Sequence, residues 1–242
     1  MVTKNQLSFY PALMAGFSVV LICANFIGPA KVCQIDLPIA VPVLGSVLIF
    51  GAGNIFFPIS YIFGDILTEI YGYAKTRRVI WVGFFSMIFA STMAVIIINL
   101  PPAETEPHNR VLQPALELVF GSTWRVVLGS ILGFWIGDFI NAFVMAKIKV
   151  ITEGRHLWFR TISSTIFGQA ADSLIFYPIA FWGIWNTETI INVILFNFFF
   201  KVFIEVIMTP FTYFAVMTIK KHEKIDFYDT NTNFNPFSLK NY

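Results

Sequence analysis

The sequence predicts an all-α integral membrane protein with six transmembrane helices and both termini in the cytoplasm. Three observations carry that prediction. Only 12% of the 242 residues are charged while 57% are hydrophobic, against roughly 25% charged in a soluble domain. Apolar runs close to the ~20 residues needed to cross hydrocarbon recur along the chain. Lys and Arg gather in alternate connections, the positive-inside pattern expected when an even number of spans returns both termini to one side. The whole chain, 1–242, reads as a single transmembrane domain with a polar cytoplasmic tail from about 220 to 242. A net charge of +2 gives no basis for nucleic-acid binding.

Taken in order, residues 1–9 are a short polar lead with Lys4, and 10–28 form the first span. No small-residue cleavage site follows that run, so it is expected to stay in place as a helix. Residues 30–43 hold Pro38 and Pro42 among alternating apolar positions and read as an ordered loop or short hairpin. The second span covers 44–71 and is expected to be broken near Gly53–Pro58, where Gly51, Gly53, Asn54 and Pro58 crowd together. Broken helices at membrane depth survive only where they are buried in protein or line a cavity.

A short basic turn with Lys75, Arg77 and Arg78 leads to the third span, 78–100. Residues 101–121 are polar and acidic, then mildly amphipathic, which suits a loop followed by an interfacial helix. The fourth span is 124–147. Its Gly129, Gly133 and Gly137 fall four apart on one face, a small-residue ridge that lets a neighbouring backbone come close. The fifth span is 157–185, and the sixth is 189–219 with Pro210 inside it. Lys147, Lys149, Arg155 and Arg160 flank the fourth connection, and Lys220, Lys221, Lys224 and Lys240 lie in the tail. Lys31 and Arg110 are the basic residues assigned to the opposite side. The tail is expected to run along the membrane surface. Cys23 and Cys33 form no disulfide framework.

Ionised residues at bilayer depth cost about 2.5–3.5 kcal/mol each on insertion scales, so those inside spans are the functional candidates. Asp65 and Glu69 lie at i, i+4 on the second span, Asp138 and Asn141 at i, i+3 on the fourth, and Gln169 and Asp172 at i, i+3 on the fifth. Lys201 and Glu205, at i, i+4 on the sixth, have the spacing to pair with each other. One reading is a structural ion-pair network that fixes helix register. The other is a polar cavity for a small planar solute, with carboxylates and amides reading a ring edge and Phe56, Phe57, Tyr61 or Phe167 stacking on its face.

Enzymatic signatures are poor. His108, His156 and His222 fall outside the predicted spans, and no metal-ligand spacing occurs, so neither metal nor cofactor is expected. The Ser163-Ser164-Thr165 cluster lacks a histidine at membrane depth, which argues against a serine triad. Gly137-Asp138 lacks the companion motif of an intramembrane aspartyl protease.

At residue level, FPISYIFGDILTEIYGYAKTRRVIW (57–81) resembles the signature of the bacterial queuosine-precursor transporters, also catalogued as vitamin uptake transporters. Similar segments follow in family order: RVVLGSILGFWIGDFINAFVMAKIK (125–149), RTISSTIFGQAADSLIFYPIAFWG (160–183), Lys201…Glu205…Pro210 and YDTNTNFNPF (228–237). The resemblance implies a six-helix inner-membrane importer of a deazapurine, typically 7-cyano-7-deazaguanine, for tRNA queuosine modification. It carries over Asp65, Glu69, Asp138, Asn141, Asp172, Lys201 and Glu205 as substrate-site positions, with Gln169 beside them and Arg77, Arg78 and Arg160 anchoring the cytoplasmic rim. Asp138 stands where relatives often have Glu, and Gln169 where many have an acid; the latter removes a titratable group from any proton relay through that position. The partners this implies are the planar solute and the lipid bilayer, with a homo-oligomer left open. A substrate-capture subunit of an ATP-driven importer is the alternative; the chain has no P-loop, so an ATPase would act in trans.

Overall fold

The computed structural model describes residues 8–27, 32–41, 45–103, 105–121 and 124–238. Seven α-helices dominate: α1 (Tyr10–Phe26), α2 (Phe57–Tyr71), α3 (Tyr73–Asn99), α4 (Asn109–Phe120), α5 (Trp124–Ile151), α6 (Leu157–Phe181) and α7 (Thr187–Glu223). Three of them, α3, α5 and α7, are long and apolar enough to cross a membrane. At ~1.5 Å per residue, α7 measures about 55 Å, well beyond a hydrocarbon core of ~30 Å. The start of the polar lead, Lys31, Glu104 and Lys240 lie outside the described residues.

The helical class holds, with one local exception inside the predicted second span. There β1 (Val32–Val41) pairs antiparallel with β2 (Gly45–Gly51), and a 3₁₀ turn (Ala52–Phe56) leads into α2. The register runs Val32↔Gly51 to Asp36↔Val47 and becomes irregular before Val41↔Gly45, across Pro38, which has no N–H for the ladder. The predicted second span is therefore no broken helix. Its first part is strand, and the helix starts only at Phe57, with Pro58 in the first turn where proline is tolerated.

The other boundaries follow the apolar pattern, with small shifts. The basic segment expected as a turn belongs to α3, which begins at Tyr73 directly after Gly72. Gly72 has φ +80°, and a Cβ there would lie 2.3 Å from the Phe227 ring, so both conformation and space favour glycine. The glycine ridge packs as its spacing requires. A Cβ on Gly129 or Gly137 would come within 3.1 Å of Phe176 O or 3.0 Å of Gly168 O on α6. Helix α4 buries none of its described side chains, as an interfacial helix would.

Large apolar side chains face outward along the long helices, among them Phe89, Leu174, Phe203 and Phe214. The buried core joins α1, α2, α3, α5 and α7 through Phe17, Leu67, Ile70, Val79, Met145 and Val216. One end of the molecule collects most of the basic residues, and the tail does not trail away from it. It folds back over the α2–α3 junction, where Phe227 N–H donates to Ile70 O at 3.1 Å and the Asp229 carboxylate accepts from Tyr73 N–H at 3.0 Å. Arg77 donates to Asn233 O and Asn235 O, both at 2.8 Å, and Trp81 Nε1 donates to Pro236 O at 2.8 Å. The positive helix N-terminus and the buried guanidinium supply donors that the tail satisfies, which is why it does not lie free on the membrane surface.

Candidate functional site

The ridge contact that brings α5 against α6 leaves a space between them and α1, α2 and α7. This cavity has a volume of about 180 Å³. Asp138 and Ser130 of α5, Gln169 and Asp172 of α6, and Asn197 and Lys201 of α7 form its polar wall. Tyr61, Phe134, Phe176 and Tyr177 supply its aromatic surface.

Glycine placement shapes the site directly. A Cβ on Gly133 would sit 2.7 Å from Asp172 Oδ1, so the bare backbone leaves that carboxylate its position. Asp172 Oδ2 accepts from Lys201 Nζ at 2.8 Å. The i, i+4 pairing of Lys201 with Glu205 is not formed; the lysine reaches across to α6 instead. Gln169 is 5% exposed, and its Oε1 has no hydrogen-bond partner among the described residues. The cavity thus offers an ion pair, a second carboxyl and an uncommitted amide oxygen between aromatic faces. Such a set can exchange several parallel hydrogen bonds with the edge of a planar, nitrogen-rich ring.

The remaining expected residues occupy other places. Asn141 is buried one turn beyond Asp138 and borders a separate void of about 10 Å³, room for roughly one water, which it shares with Asp138, Tyr61 and Thr68. Glu69 is drawn into an ionic cluster at the basic end. Arg160 Nε and Nη2 each donate to its carboxylate at 2.7 Å, and Lys220 Nζ donates at 2.6 Å. Lys149 stands 3.5 Å away and also donates to Phe227 O at 2.8 Å. Arg77 and Arg160, expected as a rim, are both buried, at 1% and 2% exposure; Arg78 is exposed. Asp65 and Glu205 lie against each other between α2 and α7, outside the cavity wall. Burial alone would raise the carboxyl of Asp226, just past α7. Hydrogen bonds from Lys149 and Lys220 outweigh burial and hold it below the usual carboxylate range.

Of the four aromatics singled out from the sequence, Tyr61 lines the cavity. Phe167 is 57% exposed on the outside of α6, Phe56 is half-buried in the 3₁₀ turn, and the side chain of Phe57 lies outside the described residues. Sequence reasoning missed Ser130, Phe134, Phe176, Tyr177 and Asn197. Helical spacing from the polar anchors was the available signal: Phe134 precedes Asp138 by one turn, Phe176 follows Asp172 by one turn, and Asn197 precedes Lys201 by one turn.

Helices with apolar outer faces around a polar chamber define a multi-pass membrane transporter. Comparison with known proteins makes the class specific: residues 51–215 match the family described as "Putative vitamin uptake transporter", and the chain belongs to that family, one of transporters and not of enzymes. It is 29% identical over 204 residues to the "Probable queuosine precursor transporter" of Bacillus subtilis, covering 82% of this chain and 85% of that one. It is 26% identical over 176 residues to the "Queuosine precursor transporter" of Escherichia coli, covering 72% and 73%. A third relative, the "Probable queuosine precursor transporter" of Haemophilus influenzae, is 21% identical over 170 residues, covering 69% and 68%. No solved structure matches the chain significantly.

Proposed function

We propose that this protein imports a queuosine precursor, 7-cyano-7-deazaguanine or a closely related deazapurine, across the bacterial inner membrane to supply tRNA queuosine modification. The names of its relatives support the solute class. The observation that carries the reading is the cavity: Asp138, Gln169, Asp172 and Lys201 facing a space of about 180 Å³ walled by aromatic rings. In this reading Asp172 accepts from the ring N–H and exocyclic amine, and Gln169 takes a further ring-edge donor. Lys201 keeps Asp172 paired and in place while the cavity is empty.

The proposed topology has six crossing helices, α1, α2, α3, α5, α6 and α7, in one transmembrane domain, with both termini in the cytoplasm. Support comes from the basic end. Glu69 near the end of α2 meets Arg160 in the first turn of α6 and Lys220 in the last turn of α7, and Tyr10 at the start of α1 donates to Lys75 O at 3.1 Å. Alternating helices thus return to one face, and that face carries the positive charge.

The test is uptake of labelled 7-cyano-7-deazaguanine in a strain lacking its own precursor transporter, followed by uptake into liposomes holding the purified protein with no ATPase. Accumulation in both supports the reading. No uptake in either overturns it, and uptake in cells alone points to a missing energising partner.

A further inference from the structure

The solute cavity uses Asp138, Gln169, Asp172 and Lys201 and leaves two acids without a task. Asp65 on α2 and Glu205 on α7 are both 0% exposed. None of their four carboxyl oxygens receives a hydrogen bond from an established donor among the described residues. Each carboxyl instead lies in side-chain hydrogen-bond contact with the other. A carboxylate only accepts, so that contact becomes a hydrogen bond only when one partner carries a proton. Two ionised carboxylates this close, both closed off from bulk solvent, would repel strongly and forfeit their hydration.

Among the described residues, the charged and titratable groups around the pair supply no counter-charge. Glu69 faces Asp65 from its own helix and Asp138 from α5, and both are acids. Glu69 is already bound by Arg160 and Lys220. Lys201, one turn from Glu205 on α7, is bound to Asp172 of α6. Helix α1 has no charged residue, and the basic residues of α3 (Lys75, Arg77 and Arg78) all lie in its first two turns, with Arg77 held by the tail. Tyr61, which feels the charges of Asp172, Glu205 and Asp138, contributes no positive charge of its own.

Position adds a second, independent observation. Tyr61, Asp65 and Glu69 stand at i, i+4 and i+8 on one face of α2. Tyr61 lines the solute cavity, and Glu69 sits in the ionic cluster at the basic end. The water-sized void beside Tyr61 also touches Asp138. The carboxyl pair therefore lies one helical turn from the cavity and one turn from the basic end.

We propose that Asp65 and Glu205 form a proton-binding site, distinct from the solute cavity, whose occupancy couples solute movement to a proton gradient. Loading breaks one O–H bond of hydronium reached from the cavity side, forms one O–H bond on a carboxylate and leaves water. Release breaks that bond and passes the proton to water at the basic end, re-forming hydronium there. The coupling rests on the transport reading; the proton site does not.

Two experiments separate these. Infrared spectra of the purified full-length protein at neutral pH are expected to show the C=O band of a protonated buried carboxyl, reduced in Asp65→Asn and in Glu205→Gln and further in the double variant. No such band in the wild type, or a band unchanged in the double variant, overturns the proton site. In liposomes, 7-cyano-7-deazaguanine accumulation is expected to rise about tenfold for each unit of pH difference, acid outside, for one proton per solute. Asp65→Asn is expected to lose that gradient response by much more than it loses solute–solute exchange. Wild-type uptake indifferent to the gradient overturns the coupling while leaving the solute reading intact. If no solute moves under any condition, the solute reading and the coupling both fall, and the infrared result still decides the site.

Discussion

The guanidinium of Arg160 closes on the carboxylate of Glu69 with two bonds of 2.7 Å, and both side chains are buried. Nη1 of Arg160 donates to Gly154 O and Arg155 O at 3.1 and 2.7 Å, so the α5–α6 turn is tied to the end of α2 through one residue. Arg160→Ala would leave Glu69 buried with Lys220 as its main partner, and loss of a buried pair costs about 3–5 kcal/mol. The expected result is a protein that melts earlier in detergent and reaches the membrane in lower amount. Arg160→Lys should not restore stability, because an ammonium cannot supply the two-pronged contact.

In the cavity, Asp172 and Lys201 are expected to behave differently from Glu69 and Arg160. Asp172→Asn keeps the shape but loses the charged acceptor, and labelled-precursor uptake should fall at least about tenfold, since a hydrogen bond to a charged group contributes about 1.5–3 kcal/mol. Pairing it with Lys201→Met should recover melting temperature without recovering uptake. Wild-type uptake from Asp172→Asn would remove this carboxylate from solute recognition.

Gly137→Ala tests the close approach of α5 and α6. The new Cβ would stand 3.0 Å from both Gly168 O and Asp172 Cβ, and a backbone oxygen cannot rotate away. Overpacking of this kind costs about 1–3 kcal/mol. Gly64→Ala is the matched control: nothing lies within 4 Å of its added Cβ, so stability should hold or rise. Thermal unfolding of both variants in the same detergent checks the pair.

At the basic end, Asp229→Ala should cost about 1 kcal/mol, because the carboxylate accepts the first N–H of α3. The expected signature is early loss of order in the tail and the α2–α3 junction, read by hydrogen exchange, with α5–α6 protection kept.

Asp226 gives a pH dependence with a defined sign. Its folded-state carboxyl titrates below the usual value, so its contribution is complete above the unfolded value near ~3.9 and is lost as pH falls through the lower, folded one. The side chain is 42% exposed and solvent screens it, so the effect is small. Melting curves between neutral pH and about pH 3 should show wild type losing more stability than Asp226→Asn.

Much of this was readable along the chain. The glycine spacing at Gly129, Gly133 and Gly137 fixed one helix face, and geometry alone dictated what packs there. The helices after Phe57 followed their apolar runs. The hairpin was not readable in full, because a short apolar run such as residues 45–51 fits a strand or a buried helix equally well by periodicity. Nor were the partners of the buried charges. Helical spacing shows that Lys201 and Glu205 share a face, but only the neighbouring helices decide that the lysine turns to Asp172 and the glutamate to Asp65. Glu69 and Asp65 look alike in sequence, and three cations at the basic end make them different.

The tail is held by main chain and side chain together. Asn233, Asn235 and Pro236 contribute carbonyl oxygens to Arg77 and Trp81, and the rings of Phe234 and Phe237 pack against Tyr73 and Trp81. Because the ribbon leaves the end of α7 and fastens to the start of α3, those two helices are harnessed together. Opening the carrier at this end would therefore require the ribbon to let go of α3 or to carry α3 along with α7, and in either case to break or drag the Lys149 bond to Phe227 O.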